Sequence, residues 1–284
     1  MSMPYGSHEA RVYYVQESNY GETPQNPSMT GLKAEHVEPM LNPNLFKLRG
    51  IGSRDLQSLR AGLREVTLDI AYPLPDSAPT NFLQHVITLS SLSVEVFYEK
   101  TLGIVDLLHT GCRFNKASVG CEIEGVISAT VELLGQDITV NTSKVNGATY
   151  ADYAGAVPYY ESYVQRGSGD GSGLSAVERV TDWKWTVENN LKQIPVIRQS
   201  EGYLLKYLPA RHRNLTGEVI FEFESKQEFD DVINDEDFSL KFGLGGSNSA
   251  MFKYCKWENV SAPTKIEDLV TLRAGFVGKD LVIS

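Results

Sequence analysis

The sequence feature that comes closest to a chemical site is a pair of carboxylates two residues apart. Glu222 and Glu224 have this spacing, and residues two apart on a β-strand point to the same side of the sheet. Two carboxyl groups placed in this way could serve general acid–base catalysis. However, the same spacing arises on any strand that has one wet face, because side chains alternate between the two sides. The pair therefore does not predict a catalytic centre.

Other residue types that support catalysis or metal binding are scattered. The five histidines lack HxxxH and HExxH spacing, the three cysteines lack CxxC spacing, and no GxSxG or Walker A sequence occurs. The glycine-rich stretch at residues 243–246 lies between two expected strands, whereas a phosphate-binding loop joins a strand to a helix. We predict a protein that is not an enzyme and that has no metal or cofactor.

The elements that would position these side chains come from a sequence that contains one block twice. Residues 112–141 align without a gap on residues 255–284, at an offset of 143. The alignment places Cys112 on Cys255, Gly135 on Gly278 and Asp137 on Asp280. An internal repeat on this scale predicts two copies of one domain.

A second and weaker pair of blocks lies upstream, where residues 60–70 resemble residues 213–223 and Glu65 falls on Glu218. Each block contains an alternating strand with one apolar and one polar side. The polar sides carry the candidate site residues Glu65, Asp69, Glu218, Glu222 and Glu224. An amphipathic segment follows each strand, at residues 80–87 and 225–233, and predicts a short helix. The fold class is therefore mainly β, with two tandem β-sandwich or barrel domains that each contain one short α-helix.

Composition sets the expected boundaries of these domains. Residues 1–31 form an N-terminal arm that has too few apolar groups to build a core, and residues 32–145 form the first domain. Residues 146–175 are a tyrosine-rich loop followed by a flexible Gly/Ser linker at 167–173, and residues 176–284 form the second domain. The tyrosines either cover a partner surface or pack back onto their own domain; they are Tyr150, Tyr153, Tyr159, Tyr160 and Tyr163.

The overall charge excludes several classes of partner. The net charge is −10, with 36 acidic and 26 basic residues, so the basic surface that grips nucleic acid is missing. An acidic surface would let DNA pass without sticking, or it would serve solubility alone. No apolar run approaches the ~18 residues that span a bilayer, and the N-terminus lacks the pattern of a secretory signal. We expect no membrane partner.

One short motif resembles a known family. The segment 17–24, Glu-Ser-Asn-Tyr-Gly-Glu-Thr-Pro, is similar to a motif that opens many tail tube proteins of tailed viruses. Residues 180–191 (VTDWKWTVENNL) and 213–224 also resemble strands of that family. The resemblance covers essentially the whole chain and implies a structural protein of the bacteriophage virion, a major tail protein that is assembled in the host cytoplasm.

The resemblance also implies an assembly and roles for particular residues. Tail tube subunits form closed rings, generally of six tube-type units, that stack around a channel for DNA ejection, and other tail proteins are their partners. The five candidate carboxylates would then line the lumen without specific DNA binding. The arm residues Glu17, Tyr20, Gly21, Thr23 and Pro24 would become ordered against a neighbouring ring.

The duplication bears on the number of chains in a ring. If each half is one tube-type unit, three chains form a trimer with pseudo-sixfold symmetry; if the halves are parts of one enlarged domain, six chains are needed. The alternative function is a duplicated β-sandwich binding module, such as a receptor- or carbohydrate-binding tail component. Assembly into stacked rings would distinguish a tube subunit from such a module.

Overall fold

The computed structural model describes residues 4–101, 103–152, 155–264 and 269–284. Tyr153, Ile266 and Glu267, which belong to the tyrosine cluster and to the repeated block, lie outside the described residues, as do residues 1–3 of the expected arm. None of the described helices is long and apolar enough to cross a membrane.

The described residues form nineteen strands and two α-helices. The strands of the first half are β1 (Ala10–Gln16), β2 (Ser28–Leu32), β3 (His36–Asn42), β4 (Phe46–Leu48), β5 (Ser58–Arg60), β6 (Glu65–Pro73), β7 (Leu92–Lys100), β8 (Gly103–Glu122), β9 (Ser128–Gly135), β10 (Asp137–Asn141) and β11 (Thr149–Ala151). Those of the second half are β12 (Val164–Ser168), β13 (Ser175–Ala176), β14 (Val180–Glu188), β15 (Asn214–Glu222), β16 (Phe238–Gly243), β17 (Ser249–Ser261), β18 (Thr271–Val277) and β19 (Asp280–Ile283). The helices are α1 (His85–Thr88) and α2 (Gln227–Asn234). The mainly β fold class is confirmed.

Most strands belong to one long sheet or to one of two side sheets, and two strands belong both to the long sheet and to a side sheet. The long sheet is antiparallel throughout and has the order β3-β6-β9-β8-β14-β15-β18-β17. The first side sheet has the order β11-β2-β1-β7-β8-β10, and the second has the order β13-β12-β16-β17-β19. Strands β4 and β5 form a separate hairpin. Strands β8 and β17 therefore each run from a side sheet into the long sheet.

Both crossings occur directly after a repeated cysteine. Cys112 pairs with β7 of the first side sheet, and the next residue pairs with β9 of the long sheet. Cys255 pairs with β16 of the second side sheet, and the next residue pairs with β18. Both thiols are fully buried between the layers. The residues just before them, Gly111 and Tyr254, have φ angles of +65° and +49°, which bend each strand at the crossing.

Further details repeat at the same offset. The register slips between Phe114 and Lys116 on β8, and between Trp257 and Asn259 on β17. An ion pair of Arg64 with Asp137 at 2.8 Å has a counterpart in Arg213 and Asp280 at 3.5 Å. The strand order β3-β6-β9-β8 thus recurs as β14-β15-β18-β17, in agreement with the alignment of the two cysteine blocks.

The upstream blocks align differently from the sequence prediction. On β9 Glu132 pairs with Asp69, and on β18 its equivalent Gly275 pairs with Glu218. Asp69, rather than Glu65, is therefore the counterpart of Glu218, and the predicted alignment was wrong by four residues. A shift of four keeps the alternation of faces, which is why the pattern alone did not reveal it.

The main hydrophobic core lies between the long sheet and the side sheets and runs through both halves. Its largest members are aromatic. Alternation over residues 180–189 predicts a strand that buries Trp183, Trp185 and Val187, and this is confirmed, because all three side chains point into the core. Fully burying one such side chain contributes about 1.5–3 kcal/mol. The core therefore joins the halves in one apolar interior.

The helices differ from their predicted form. Helix α1 is only one turn long, although Phe82, Leu83 and Val86 are buried as expected. The spacing of residues 225–233 places Val232 and Ile233 on the apolar side of the predicted helix, and Ser225 with Glu228 has the spacing of a capping box. In the structure Val232 and Ile233 are exposed, and Glu228 and Asp231 are buried instead. The capping box does not form, because the Glu228 carboxylate is engaged in an ion pair with Arg179.

Two predicted flexible segments belong to the side sheets. Gly167 and Ser168 lie in β12, which pairs with β13 and β16, and the following turn is closed by the Ser168 amide and the Ser172 carbonyl at 2.9 Å. The tract is therefore a hairpin and not a flexible linker. Within the expected arm, residues 1–31, β1 lies inside the first side sheet and buries Val12 and Tyr14. That the arm becomes ordered against a neighbouring ring stays a prediction.

Candidate functional surface

The long sheet has one buried face and one polar face. Val66, Leu68 and Ile70 of β6 point into the core, so the alternate residues of every paired strand point outward. The carboxylates on the polar face are Glu38, Glu65, Asp69, Glu122, Glu132, Asp182, Glu188, Glu218 and Glu222. The basic side chains are Arg113, Lys116, Lys184, Lys256 and Arg273. This surface, which we call the acidic face, spans both halves of the chain.

The charges on the acidic face form rows across neighbouring strands. Glu38, Asp69 and Glu132 are direct cross-strand neighbours on β3, β6 and β9. Lys116 on β8 continues the row and pairs with Glu188 on β14, with 2.7 Å between Nζ and Oε1. Directly opposed like charges destabilise a sheet, so a row that places three carboxylates side by side indicates a requirement other than stability.

The pKa values of the carboxylates follow from this arrangement. The pKa of Asp69 is raised by burial and then by the negative charges of Glu132 and Glu38. The pKa of Asp182 is likewise raised by burial and then by Glu122 and Glu218. His36 lowers the pKa of Asp69, and Arg273 and Lys184 lower that of Asp182, but each effect is smaller than those of the neighbouring carboxylates. Negative charge therefore outweighs positive charge around both groups. A polyanion close to the face would be repelled.

Four of the five predicted site residues lie on the acidic face. Glu65 and Asp69 are on β6, and Glu218 and Glu222 are on β15. Glu224 lies two residues beyond the end of β15, and its exposed side chain lines a depression beside α2. The two-residue spacing from Glu222 predicted that Glu224 lies on the same face, but β15 ends at Glu222.

The sequence analysis missed the part of the face that comes from β8 and β14. Lys116, Asp182 and Glu188 lie at the centre of the long sheet, where the two halves meet. A signal was present, because the buried Trp183, Trp185 and Val187 imply that the intervening residues point outward. What the sequence did not reveal was that β14 pairs with β8.

The segment that resembles the family motif is a tightly bonded loop. The buried Glu17 carboxylate accepts hydrogen bonds from the amide of Gly21, the amide of Gly111 and the hydroxyl of Ser93, each at 2.8 Å. The Thr23 hydroxyl bonds to Ser93 at 2.8 Å. The loop is thereby fastened to the bend of β8.

Two further motif residues complete this loop. Gly21 has a φ of +81°, which favours glycine, and a Cβ there would collide with Gln136. The Tyr20 ring lies 5.1 Å from the Arg113 guanidinium. Inter-ring contact by Glu17, Tyr20, Gly21, Thr23 and Pro24 stays a prediction.

The long sheet ends in two unpaired strands. Within the described residues, β3 pairs only with β6, and the part of β17 after Cys255 pairs only with β18. An edge strand presents unpaired backbone amides and carbonyls, which form a template for pairing with another chain. Pro39 lies in β3, in keeping with an edge position. No group of three His, Cys, Asp or Glu in the described part of the chain is placed to hold a metal ion.

An acidic face on a sheet with unpaired edges has the features of a structural subunit that assembles edge to edge. The sequence matches the family model described as "Phage tail tube protein" over residues 7–278. The chain therefore belongs to the phage tail tube protein family and is a structural component of the virion tail.

Solved structures give weaker similarities. A chain in the virion of a native gene transfer agent particle aligns with a TM-score of 0.38 and 5% identity, over 45% of this chain and 99% of its own length. A chain in the sixfold-symmetrised baseplate of the anti-feeding prophage aligns with a TM-score of 0.36 and 16% identity, over 51% of this chain and 100% of its own. The search of curated proteins found no match.

Proposed function

We propose that three copies of the chain close into a ring, and that the rings stack into a tube through which DNA passes. The observation that carries this proposal is the pairing of β8 with β14. This ladder contains seven residue pairs, from Lys116 with Glu188 to Glu122 with Asp182. It joins the last strand of the first half to the first strand of the second half within the long sheet.

The same joint can be made between chains. In the repeated order β17 is the counterpart of β8, and β3 is the counterpart of β14, so the two unpaired edges correspond to the two members of the internal joint. Transferring the internal register predicts that Ser261, Val260 and Asn259 of one chain pair with Met40, Leu41 and Asn42 of the next. The ladder ends beside Pro39, which lacks the amide hydrogen needed to continue it.

The repeat also supports a division into two tube-type units. Each unit contributes four strands to the long sheet, one helix and one side sheet. The proposed units keep the predicted cores, 32–145 and 176–284. They also gain β1 and β2 in the first unit, and β12 and β13 in the second, because those strands pair within the respective side sheets. The boundary then falls in the connection between β11 and β12.

The size of the barrel favours three chains over six. Three long sheets supply twenty-four strands, and at ~4.8 Å per strand and a tilt of ~40° they close into a barrel about 48 Å across the backbone. Six chains would double that diameter. The smaller barrel leaves a channel suited to one duplex after side chains line it.

The acidic face would line this channel. Each chain would present the same rows of carboxylates, so that the wall is negative all round. DNA binds proteins largely through basic side chains that neutralise its phosphates, and a wall with excess carboxylates would let the duplex slide without adhering.

Measuring the mass of an isolated ring tests the proposal. Purified protein is examined by negative-stain microscopy across salt and protein concentration, and the rings are weighed by native mass spectrometry. Three chain masses per ring, with stacked rings in the images, are expected. Six chain masses would overturn the duplication argument, and monomers under all conditions would overturn the tube.

A further inference from the structure

Equivalent connections in the two halves differ in whether anything covers them. Residues 189–213 join β14 to β15 and fold against the first half of the same chain. Residues 43–64 join β3 to β6 at the equivalent place, and their β4–β5 hairpin stands free. The hairpin carries apolar side chains that no other part of the described chain covers.

Three leucines recur at matching positions in these connections. Leu191 follows β14 as Leu45 follows β3, and the register of β15 with β6 places Leu205 on Leu56 and Leu208 on Leu59. In the second-half connection the exposed fractions are 8%, 0% and 1% for Leu191, Leu205 and Leu208. In the hairpin they are 50%, 37% and 57% for Leu45, Leu56 and Leu59. The hairpin thus repeats the apolar pattern without its covering surface.

The surface that covers the buried set belongs to the first half. Leu134 packs among Leu191, Leu205 and Leu208. The Arg113 guanidinium donates to the Leu208 carbonyl at 3.1 Å, and the Gln136 amide donates to the Leu205 carbonyl at 2.9 Å.

Backbone and helix contacts extend this internal interface. The Arg64 amide donates to the Tyr203 carbonyl at 2.8 Å. The Asn189 amide group donates to the Val86 carbonyl of α1 at 2.9 Å. The second-half connection therefore covers the side of the first half from β9 to α1.

The second half carries an equivalent surface that is uncovered. Val277 takes the place of Leu134 and is 40% exposed. Lys256 takes the place of Arg113, and Lys279 takes the place of Gln136. Both lysines can donate hydrogen bonds, as the residues they replace do. Helices α1 and α2 end at the left-handed C-caps Leu89 and Asp235. Counted back from these caps, Val232 and Ile233 match Val86 and Ile87, and both are exposed. This surface, residues Val232, Ile233, Lys256, Val277 and Lys279, is the hairpin-docking surface.

We propose that the β4–β5 hairpin of one chain docks on the hairpin-docking surface of the next chain in the ring. The inference rests on the proposed ring and names its second interface. The occupant must come from a second copy, because the hairpin follows β3 and the surface adjoins β17, at opposite edges of an eight-stranded sheet. Those edges are about 34 Å apart at ~4.8 Å per strand.

The two interfaces fit together geometrically and energetically. Suppose that β3 of one chain pairs with β17 of the next in the way that β14 pairs with β8 within a chain. The β4–β5 hairpin then lies against the neighbour at the place where residues 189–213 lie against the first half. The edge ladder between chains contains only the pairs made by residues 40–42 and 259–261. Burying three leucines beside that short ladder supplies the apolar contact that a stable interface needs.

A disulfide tests the geometry directly. Within one chain, Tyr203 and Arg64 are close enough for their backbones to form a hydrogen bond. The equivalent residues of the proposed interface are Arg54 in the hairpin and Arg213 in the next chain. Arg54→Cys and Arg213→Cys should therefore form a disulfide between neighbouring chains under mild oxidation. The native cysteines Cys112, Cys121 and Cys255 are buried, which keeps the background low. Covalent dimers and trimers are expected from the double variant, and each single variant is the control. Rings that form without any cross-link would overturn the docking and leave the ring standing.

A hairpin variant tests the energetics. The triple change Leu45→Ser, Leu56→Ser and Leu59→Ser should leave the chain folded and raise the protein concentration needed for ring formation by about tenfold or more. The control is Ile51→Ser, a fully exposed apolar residue at the tip of the same hairpin, which should assemble like the parent. Parent-like assembly of the triple variant would overturn the docking. Failure of the parent itself to form rings would overturn the proposed function as well.

Discussion

The Glu17 carboxylate and the Gly111 amide are joined by a hydrogen bond of 2.8 Å beneath the first side sheet. Gly111 is where β8 bends before it enters the long sheet, and Glu17 directly follows β1, which lies two places from β8 in the first side sheet. The bond therefore ties the loop after β1 to the crossing between the layers. A residue of the segment 1–31, which was expected to form an N-terminal arm, therefore supports the bend.

Changing Glu17→Gln should lower the free energy of unfolding by about 1–3 kcal/mol, because buried amide donors lose a charged acceptor and one meets an NH2 group instead. Urea unfolding followed by circular dichroism measures the change. Glu22→Gln, whose exposed carboxylate bonds to Asn19 at 3.0 Å, is the control and should stay within about 0.5 kcal/mol. Equal midpoints for the two variants would contradict the structural role of Glu17.

Asp106 predicts a dependence of stability on pH. Burial raises the pKa of this carboxyl to about 6, the Asn141 hydrogen bond lowers it, and the neighbouring Glu95 raises it. Glu95 also accepts from the Tyr150 hydroxyl and the Val145 amide on the same side, and Lys144 lies over the Tyr150 ring. The folded state therefore binds this proton more tightly than the unfolded state, whose pKa is about 3.9.

The direction of the pH dependence follows from the higher pKa of Asp106 in the folded state. The contribution of Asp106 is fully present below about pH 4 and is lost as the pH rises to about 6. Asp106→Asn should remove this loss, so that the unfolding free energy of the variant falls less between pH 4 and 7 than that of the parent. Thermal unfolding at several pH values measures it, with exposed Asp55→Asn as the control. A variant that keeps the slope of the parent would contradict the assignment.

For the buried ion pair between Arg179 and Glu228, we predict that removing the arginine alone destabilises the fold more than replacing both residues. Arg179→Met leaves the Glu228 carboxylate buried without its partner and should cost about 3–5 kcal/mol. Combining it with Glu228→Leu should recover much of that loss, because no buried charge remains. The matched control is Lys226→Met, which breaks an exposed pair with Asp230 and should change stability by less than about 1 kcal/mol. A double variant as unstable as Arg179→Met would count against this account.

Charge reversal on the acidic face tests the proposal that this face lines a DNA channel. Asp69→Lys, Glu218→Lys and Glu222→Lys together should leave the rings intact and make the tubes retain DNA, with a retention that falls steeply as salt rises. The control carries the same charge change off the face: Glu178→Lys, Glu201→Lys and Glu224→Lys. Retention by filter binding at increasing salt is the readout. Equal retention by both variants would remove the acidic face from the lumen.

Local patterns predicted much of the fold. Alternation identified the strands of β6, β14 and β15, because one side of each is buried in a common core. The repeated cysteine blocks matched at the correct offset, since Cys112 and Cys255 both occupy a crossing where only a small, buried side chain fits. These features depend on neighbours close in sequence or on composition, so a single sequence carries them.

The errors have a tertiary cause. The apolar side of α2 was assigned inward from its spacing, but Arg179, in the turn before β14, binds Glu228, and Arg166 of β12 binds Asp231. Those ion pairs turn the helix so that Val232 faces outward. The edges of the long sheet were equally invisible, because which strand ends unpaired depends on the order of all eight.

The crossing of β8 has a mechanical consequence. One continuous backbone of twenty residues belongs to the first side sheet at its start and to the long sheet at its end, and β17 repeats the arrangement in the second half. Sliding one layer over the other would therefore require these strands to break hydrogen bonds in both layers together. Shear applied to the side sheets would be passed to the long sheet through covalent bonds, and in the proposed tube the bore would keep its cross-section under load.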